Sequence, residues 1–483
     1  MKPLLILTGF FLSLLCLNSC RESIPTDVVY ENEAFLQIRV QGNVSPLRGE
    51  VEDPMQKIQN LKLAFFRLED GKLAFVRSIS AQDLSSAVLS IPKGSYKLVA
   101  LANSVAVFDQ LLVPGASISG VTVHPLSSTT LDKLTTRAEN DKFKVLSIPM
   151  LNDQGPIEVR VDQLAATAEE AKAKPILIHV EPILARVVVY GNPKVEGGRI
   201  KQDTEETLPR YVVSGVCRRM YPMRMMNKLD DGLTDEQQGD NSTPARRYAK
   251  QPDYIDEITS PAAIDGKISF LSSRQFIDFP RSNPRILPDC DKTSDLPLLA
   301  YTRETTMGPK AYARGNTPYV ILSYHYLPAS LDFSGDDYSW VAFGEEYMTL
   351  DQFKNYVTQV QRGQEIPVPG LAAAIRKVVA QKPFSYDNSF DEQGIRYYHR
   401  GANYYVVYIR HFPDDVAPKK DSYGRYGVVR NNEYRIRVNK ISAPGMAVVP
   451  TFNANTTLLD NGVFSSMRVD VNKTTVREQQ VIF

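Results

Sequence analysis

Alternation of apolar and polar residues with a period of two dominates this chain. In AFLQIRV (34–40) the residues Leu36, Ile38 and Val40 share one face, which predicts a strand. NLKLAFFRL (60–68) and KLAFVRSI (72–79), separated by Glu69-Asp70-Gly71, predict a hairpin. GSYKLVALANS (94–104) predicts a further strand, with Tyr96, Leu98, Ala100 and Ala102 to one side. GPIEVRVDQL (155–164) reads as extended, and AATAEEAKAK (165–174) as helix-prone up to Pro175. PILIHVEPILARVVVYG (175–191) reads as two strands or one bent strand. Only TLDQFKNYVTQVQRG (349–363) and GLAAAIRKVVAQK (370–382) then carry a clear helical pattern. Strand patterns return at 397–412, 426–442 and 465–483. In YRIRVNKI, Tyr434, Ile436 and Val438 alternate with Arg435, Arg437 and Asn439, so one face is core and the other wet.

This pattern predicts a mainly β protein of two β-sandwich domains, transthyretin- or Ig-like, with a few short helices. The 483 residues are enough for that. Composition shifts toward Gly and charge near 191–210, which sets expected domains at 49–195 and 196–483. Between the first two strands lies GNVSPLRGEVEDP (42–54), a loop rich in Pro and Gly with Arg48 at its centre and Gly49 after it.

Lys and Arg total 56 against 55 Asp and Glu, so no surplus of charge points to nucleic acid. The N-terminus changes the picture more. MKPLLILTGFFLSLLCLNSC has a cationic start and an apolar run from Leu4 to Leu17, the pattern of a signal peptide over 1–19. Leu17-Asn18-Ser19-Cys20 resembles a bacterial lipobox, which implies thioether lipidation of Cys20 and cleavage before it. Several acyl chains together make a stable anchor where one holds only marginally. No later segment is long and apolar enough to span a bilayer. Of the remaining cysteines, Cys217 and Cys290 are either a disulfide or two buried thiols.

Catalytic patterns are missing from the sequence. The five histidines, His124, His179, His325, His399 and His411, lack zinc-hydrolase spacing. There is no G-x-S-x-G elbow and no phosphate-cradling loop. Asp230, Asp231, Asp235, Glu236 and Asp240 cluster without EF-hand spacing and read as a solvated loop rather than a calcium site. YYHRGANYY (397–405) is aromatic and basic, as a glycan-stacking surface would be, and strand alternation accounts for it equally. No cofactor, metal or catalytic residue is expected.

Several stretches together resemble the fimbrillin family, subunits of the lipoprotein-derived type V pili of Bacteroidia. These are the lipobox at Cys20, AFLQIRV before a loop with a lone Arg, GSYKLVALANS, PILARVVVYG, and YYVVYIRHFPDD…YGRYGVVRNNEYRIRVNKISAPG. The last is similar to the C-terminal domain of minor-fimbrium shaft subunits, and VNKTTVREQQVIF has closing-strand character. The chain departs from the family in having Lys473 and Thr474 where a closing-strand tryptophan is often found, and residues 200–390 carry no matching motif.

The resemblance implies a precursor tethered to the outer membrane by its lipid. An Arg-specific protease would cut between Arg48 and Gly49, removing 20–48 and with it the strand of Leu36, Ile38 and Val40. A donor strand within 465–483 of a neighbouring subunit, with Met467, Val469 and Val471 on one face, would fill the vacated groove. Such a head-to-tail contact makes filaments rather than rings. The expected location is a surface fimbrium supporting adhesion. The expected partners are other copies of the chain or related fimbrial subunits, together with host or bacterial surface receptors. The alternative is a monomeric outer-membrane lipoprotein that binds a glycan, or a fimbrial anchor or tip adhesin.

Overall fold

The computed structural model describes residues 33–42, 58–84, 86–127, 130–131, 148–191, 193–228, 247–263, 266–269, 300–333, 335–411, 424–450 and 475–482. Cys20, Arg48, Gly49, Met467, Val469 and Val471 lie outside these residues, as do Cys290 and the acidic stretch 230–240.

The first unit contains β1 Glu33–Gly42, β2 Asn60–Arg67, β3 Leu73–Ser80, β4 Val88–Pro92, β5 Tyr96–Ala102, β6 Met150–Asn152, β7 Ile157–Val159 and β8 Ile176–Pro182. They form one sheet in the order β3-β2-β5-β6-β8-β1-β4, with β7 on β5. Its hairpin β2–β3 turns at Gly71, whose φ of +66° suits glycine, while Asp70 accepts from the Lys72 N–H at 2.9 Å. Each strand sends apolar side chains to one interior: Leu36 and Ile38, Leu63 and Phe65, Phe75, Ile91, Leu98, Met150, Val159, Ile178. The opposite face is also covered. Ala64, Phe66, Val99 and Leu101 pack under Phe108, Val121 and Leu126 of the segment that carries the short helices Ala106–Asp109 and Ile118–Thr122.

The second unit begins with β9 Ala185–Tyr190, β10 Lys194–Val195, β11 Gly198–Lys201 and β12 Arg210–Ser214. Four short strands follow: β13 Val216–Cys217, β14 Met225–Lys228, β15 Arg247–Lys250 and β16 Ile268–Ser269. Next come β17 Ala300–Thr302, β18 Tyr319–Pro328, β19 Trp340–Phe343 and β20 Glu346–Thr349. The unit closes with β21 Phe390–Glu392, β22 Ile395–Tyr398, β23 Ala402–Tyr408, β24 Asn432–Ile441 and β25 Thr475–Ile482. One sheet runs β10-β24-β9-β17 with β25 also on β24; the other centres on β18, flanked by β11, β12 and β23.

The two sheets share a core. Val187 and Val189 of β9 and Tyr434, Ile436 and Val438 of β24 meet Val320, Leu322 and Tyr324 of β18 and Val407 of β23. β9 and β10 precede residue 196 yet pair into this unit, because every residue of ARVVVY is buried between β24 and β17. Gly191, at φ +115°, lets the chain leave β9: a Cβ there would stand 2.5 Å from the Val438 carbonyl oxygen of β24.

Between β18 and β23 the chain inserts a module with its own core. Its sheet, β20-β19-β22-β21, packs against the helices Leu350–Gln361 and Leu371–Val379. Thr349 caps the first helix in a reciprocal box with Gln352. Leu371, Ala374, Ile375 and Val378 form the buried stripe of the second. Trp340 joins the module to the sandwich, stacked on Tyr398 at 3.9 Å and donating to the Tyr326 carbonyl at 3.0 Å. The fold is thus mainly β, in sandwich-like units with a few short helices.

Candidate strand-exchange site

The strand β1 changes partners half-way along. Glu33 to Gln37 pair antiparallel with Pro92 to Val88 of β4, and Ile38 to Gly42 pair parallel with Ile176 to Val180 of β8. Phe35 also exchanges both main-chain hydrogen bonds with Ala165, at 2.8 and 2.9 Å. Leu36 is 1% exposed and Ile38 fully buried, both in the first interior; Val40 is half-buried and packs against it. These three share a face, as alternation requires. Arg48 falls among residues 43–59, between β1 and β2 in sequence.

Without β1, the facing edges of β4 and β8 would hold unpaired N–H and C=O groups above an apolar floor. A slot of that form accepts a strand of matching alternation and holds it by main-chain bonds.

At the other end of the chain, β25 lies parallel to β24, from Asn432 opposite Thr475 to Lys440 opposite Ile482. Met467, Val469 and Val471 precede it in sequence and lie outside the described residues.

Sequence reasoning missed a set of buried charges where the two units meet. Glu181, at the end of β8, accepts from Nε of Arg224 at 2.8 Å and also from its Nη2. Arg430 donates to the carbonyls of Pro222 and Tyr221 at 2.7 Å each and forms a two-point pair with Glu304. Burial pushes the Glu181 carboxyl up to about 7, against the pull of Arg224 and Arg430. Main-chain bonds stitch the same boundary: Leu126 and Met220 pair with each other, Met223 donates to Thr122, and Asn431 donates to Leu184 at 3.0 Å. Charges this deep gave no alternation signal. The only hint was Arg430 within GVVRNN, a stretch singled out for another reason.

Other candidates resolve into packing. In YYHRGANYY, Tyr397, Tyr398 and Tyr405 are buried, which leaves little aromatic surface for a glycan. His411 is buried against the Tyr434 hydroxyl at 2.8 Å, and His399 contacts the Tyr397 hydroxyl at 3.2 Å. Cys217 is a free buried thiol that burial pushes up to about 12, far from a reactive thiolate. Among the described residues no group of His, Cys, Asp and Glu has the makings of a metal site, and no helix is long and apolar enough to cross a membrane.

Residues 396–480, from β22 through most of β25, match the family model described as major fimbrial subunit protein type IV, fimbrillin, C-terminal. The C-terminal part of the chain thus resembles the fimbrillin C-terminal region. No curated relative matches it. Among solved structures it is similar to a fimbrilin from Porphyromonas gingivalis W83, at 13% identity and a TM-score of 0.41, over 93% of this chain and 97% of that one. A fimbrial assembly protein from Parabacteroides distasonis gives 14% identity and a TM-score of 0.28, over 63% and 84%. The tip fimbrial protein of P. gingivalis, truncated at its C-terminus, gives 9% and 0.29, over 63% and 83%.

The matched residues supply β23, β24 and most of β25, with the GVVRNN stretch leading into the start of β24.

Proposed function

We propose that this protein is a structural, non-enzymatic subunit of a cell-surface fimbrium that polymerises by strand exchange. The precursor is exported as a lipoprotein and held in the outer membrane through Cys20. An Arg-specific protease cuts after Arg48, so that Gly49 becomes the new N-terminus and β1 is released. A strand from residues 465–483 of the next subunit, with Met467, Val469 and Val471 facing inward, takes the place of Leu36, Ile38 and Val40. The partners are other copies of the chain or related fimbrial subunits, and the assembled fimbrium supports adhesion to surface receptors.

The observation that carries this reading is the position of β1. It is inserted between two strands of a sheet, fills the interior with Leu36 and Ile38, and is joined to the rest through a segment containing a protease-type Arg-Gly pair. The fimbrillin C-terminal match supports the same class of protein. N-terminal sequencing of the protein from intact cell-surface material tests the reading. A start at Gly49 is expected; an acylated Cys20 on assembled protein would make the chain an anchor instead.

A further inference from the structure

We propose that β8 and β9 form a load-bearing spine, which takes axial pull from a strand in the β1 slot and passes it to β24 with both ladders loaded in shear. The direction of the pull rests on the strand-exchange reading; the resistance to it does not.

The topology carries the argument. β1 and β8 are parallel, and both run toward Pro182 at the boundary between the units. A strand in the slot that is pulled back toward its start therefore slides along β8 and strains the ladder from Ile176 to Val180 all at once. Its antiparallel half is held in the same way by β4. From Ile176 to Tyr190 the chain continues covalently through Ile183 and Leu184 into β9. That connection is pinned: the Ile183 N–H donates to the Pro149 carbonyl and the Asn431 N–H to the Leu184 carbonyl, both at 3.0 Å.

On the far side the geometry repeats. β9 and β24 are parallel, with Arg186 to Tyr190 opposite Glu433 to Arg437, and both run away from the boundary. Pull on the chain beyond Ile441 slides β24 forward along β9. One ion pair crosses this ladder: Arg186 of β9 binds Glu433 of β24. A single ladder hydrogen bond contributes little by itself. Peeling breaks such bonds one at a time, whereas shear requires the whole row and its buried ion pair to yield together. Forced unfolding follows the barrier to that collective step.

Single-molecule pulling on the uncut full chain, with its own β1 in the slot, tests this. In one form handles are attached at Glu33 and Ser442, which are exposed and load the spine; in the other they are at Glu33 and Lys93, which peels β1 from β4 at its first pair. At equal loading rate the Glu33–Ser442 geometry is expected to rupture at several-fold higher force. Equal or lower force in that geometry overturns the proposal, whether or not cut chains polymerise. High force in chains that do not polymerise after cutting would overturn the strand-exchange reading and leave the shear resistance standing.

Discussion

Arg186 and Glu433 stand directly opposite each other in the parallel pair β9–β24, paired side chain to side chain, at 1% and 0% exposure. Glu433 also takes Arg435, which reaches the surface. A charge pair this deep repays its desolvation only while both members are present.

Removing one member should therefore cost more than removing both. Arg186→Met alone is expected to destabilise the protein by up to about 3–5 kcal/mol, since it leaves the buried Glu433 carboxylate with only the partly exposed Arg435 as a partner. Arg186→Met with Glu433→Leu should recover most of that loss. Denaturant midpoints of the single and double variants give the comparison, and additive losses would show that the two residues act independently.

The slot makes a prediction that separates precursor from filament. Leu36→Ala should cost the uncut protein about 2–5 kcal/mol, because it empties a filled interior. If β1 is released on assembly, as proposed, the same change should leave the thermal stability of assembled filaments untouched. Equal losses in both forms would mean that β1 stays in place.

Glu181 couples the boundary to pH. Its carboxyl is raised from 4.5 to about 7, so between those values the folded protein holds a proton that the unfolded chain has released. Stability contributed by this group is thus greatest at low pH and falls as pH rises through that interval. The groups around it are Arg224, Arg430, Glu304 and, through Arg224, Asp153. Glu181→Gln should flatten the dependence of the unfolding midpoint on pH between 4.5 and about 7. An unchanged slope would assign it to other groups.

Asn103 holds a left-handed backbone at φ +53°. Its side chain accepts from the Gln59 N–H at 2.8 Å and donates to the Ile148 carbonyl at 3.0 Å, so one residue ties the ends of three segments. Asn103→Ala should cost on the order of 2–4 kcal/mol from the lost bonds and the strained backbone. Asn103→Gly should cost less, since only the bonds are lost. Thermal denaturation of the pair gives the order.

Local patterns were well legible. The β2–β3 hairpin, β5, the core face of β24 and the helices at 350–361 and 371–379 stand where alternation and helical spacing put them. What the sequence did not disclose is non-local. The parallel pairing of β9 with β24 joins segments separated by more than the whole inserted module, and no periodicity encodes that choice of partner. The module around β19 to β22 was visible only as its helices, since its strands are short and interrupted by turns. Glu433, the second residue of β24, falls in the same alternating set as Arg435 and Arg437, yet it is buried with its partner Arg186, which alternation alone does not disclose. In the first unit, the three-residue comb of β1 was readable, but not that the strand divides its pairing between β4 and β8 at Gln37 and Ile38.

The central claim is that residues 465–483 of one subunit occupy the slot between β4 and β8 of the next. Filaments assembled from a mixture of isotopically heavy and light chains, cross-linked and analysed by mass spectrometry, test it most directly. The account predicts heavy–light cross-linked pairs that join 465–483 to 86–93 or 176–182, in protein beginning at Gly49. Cross-links confined to single chains, with residues 33–42 still joined to β4 and β8, would contradict it.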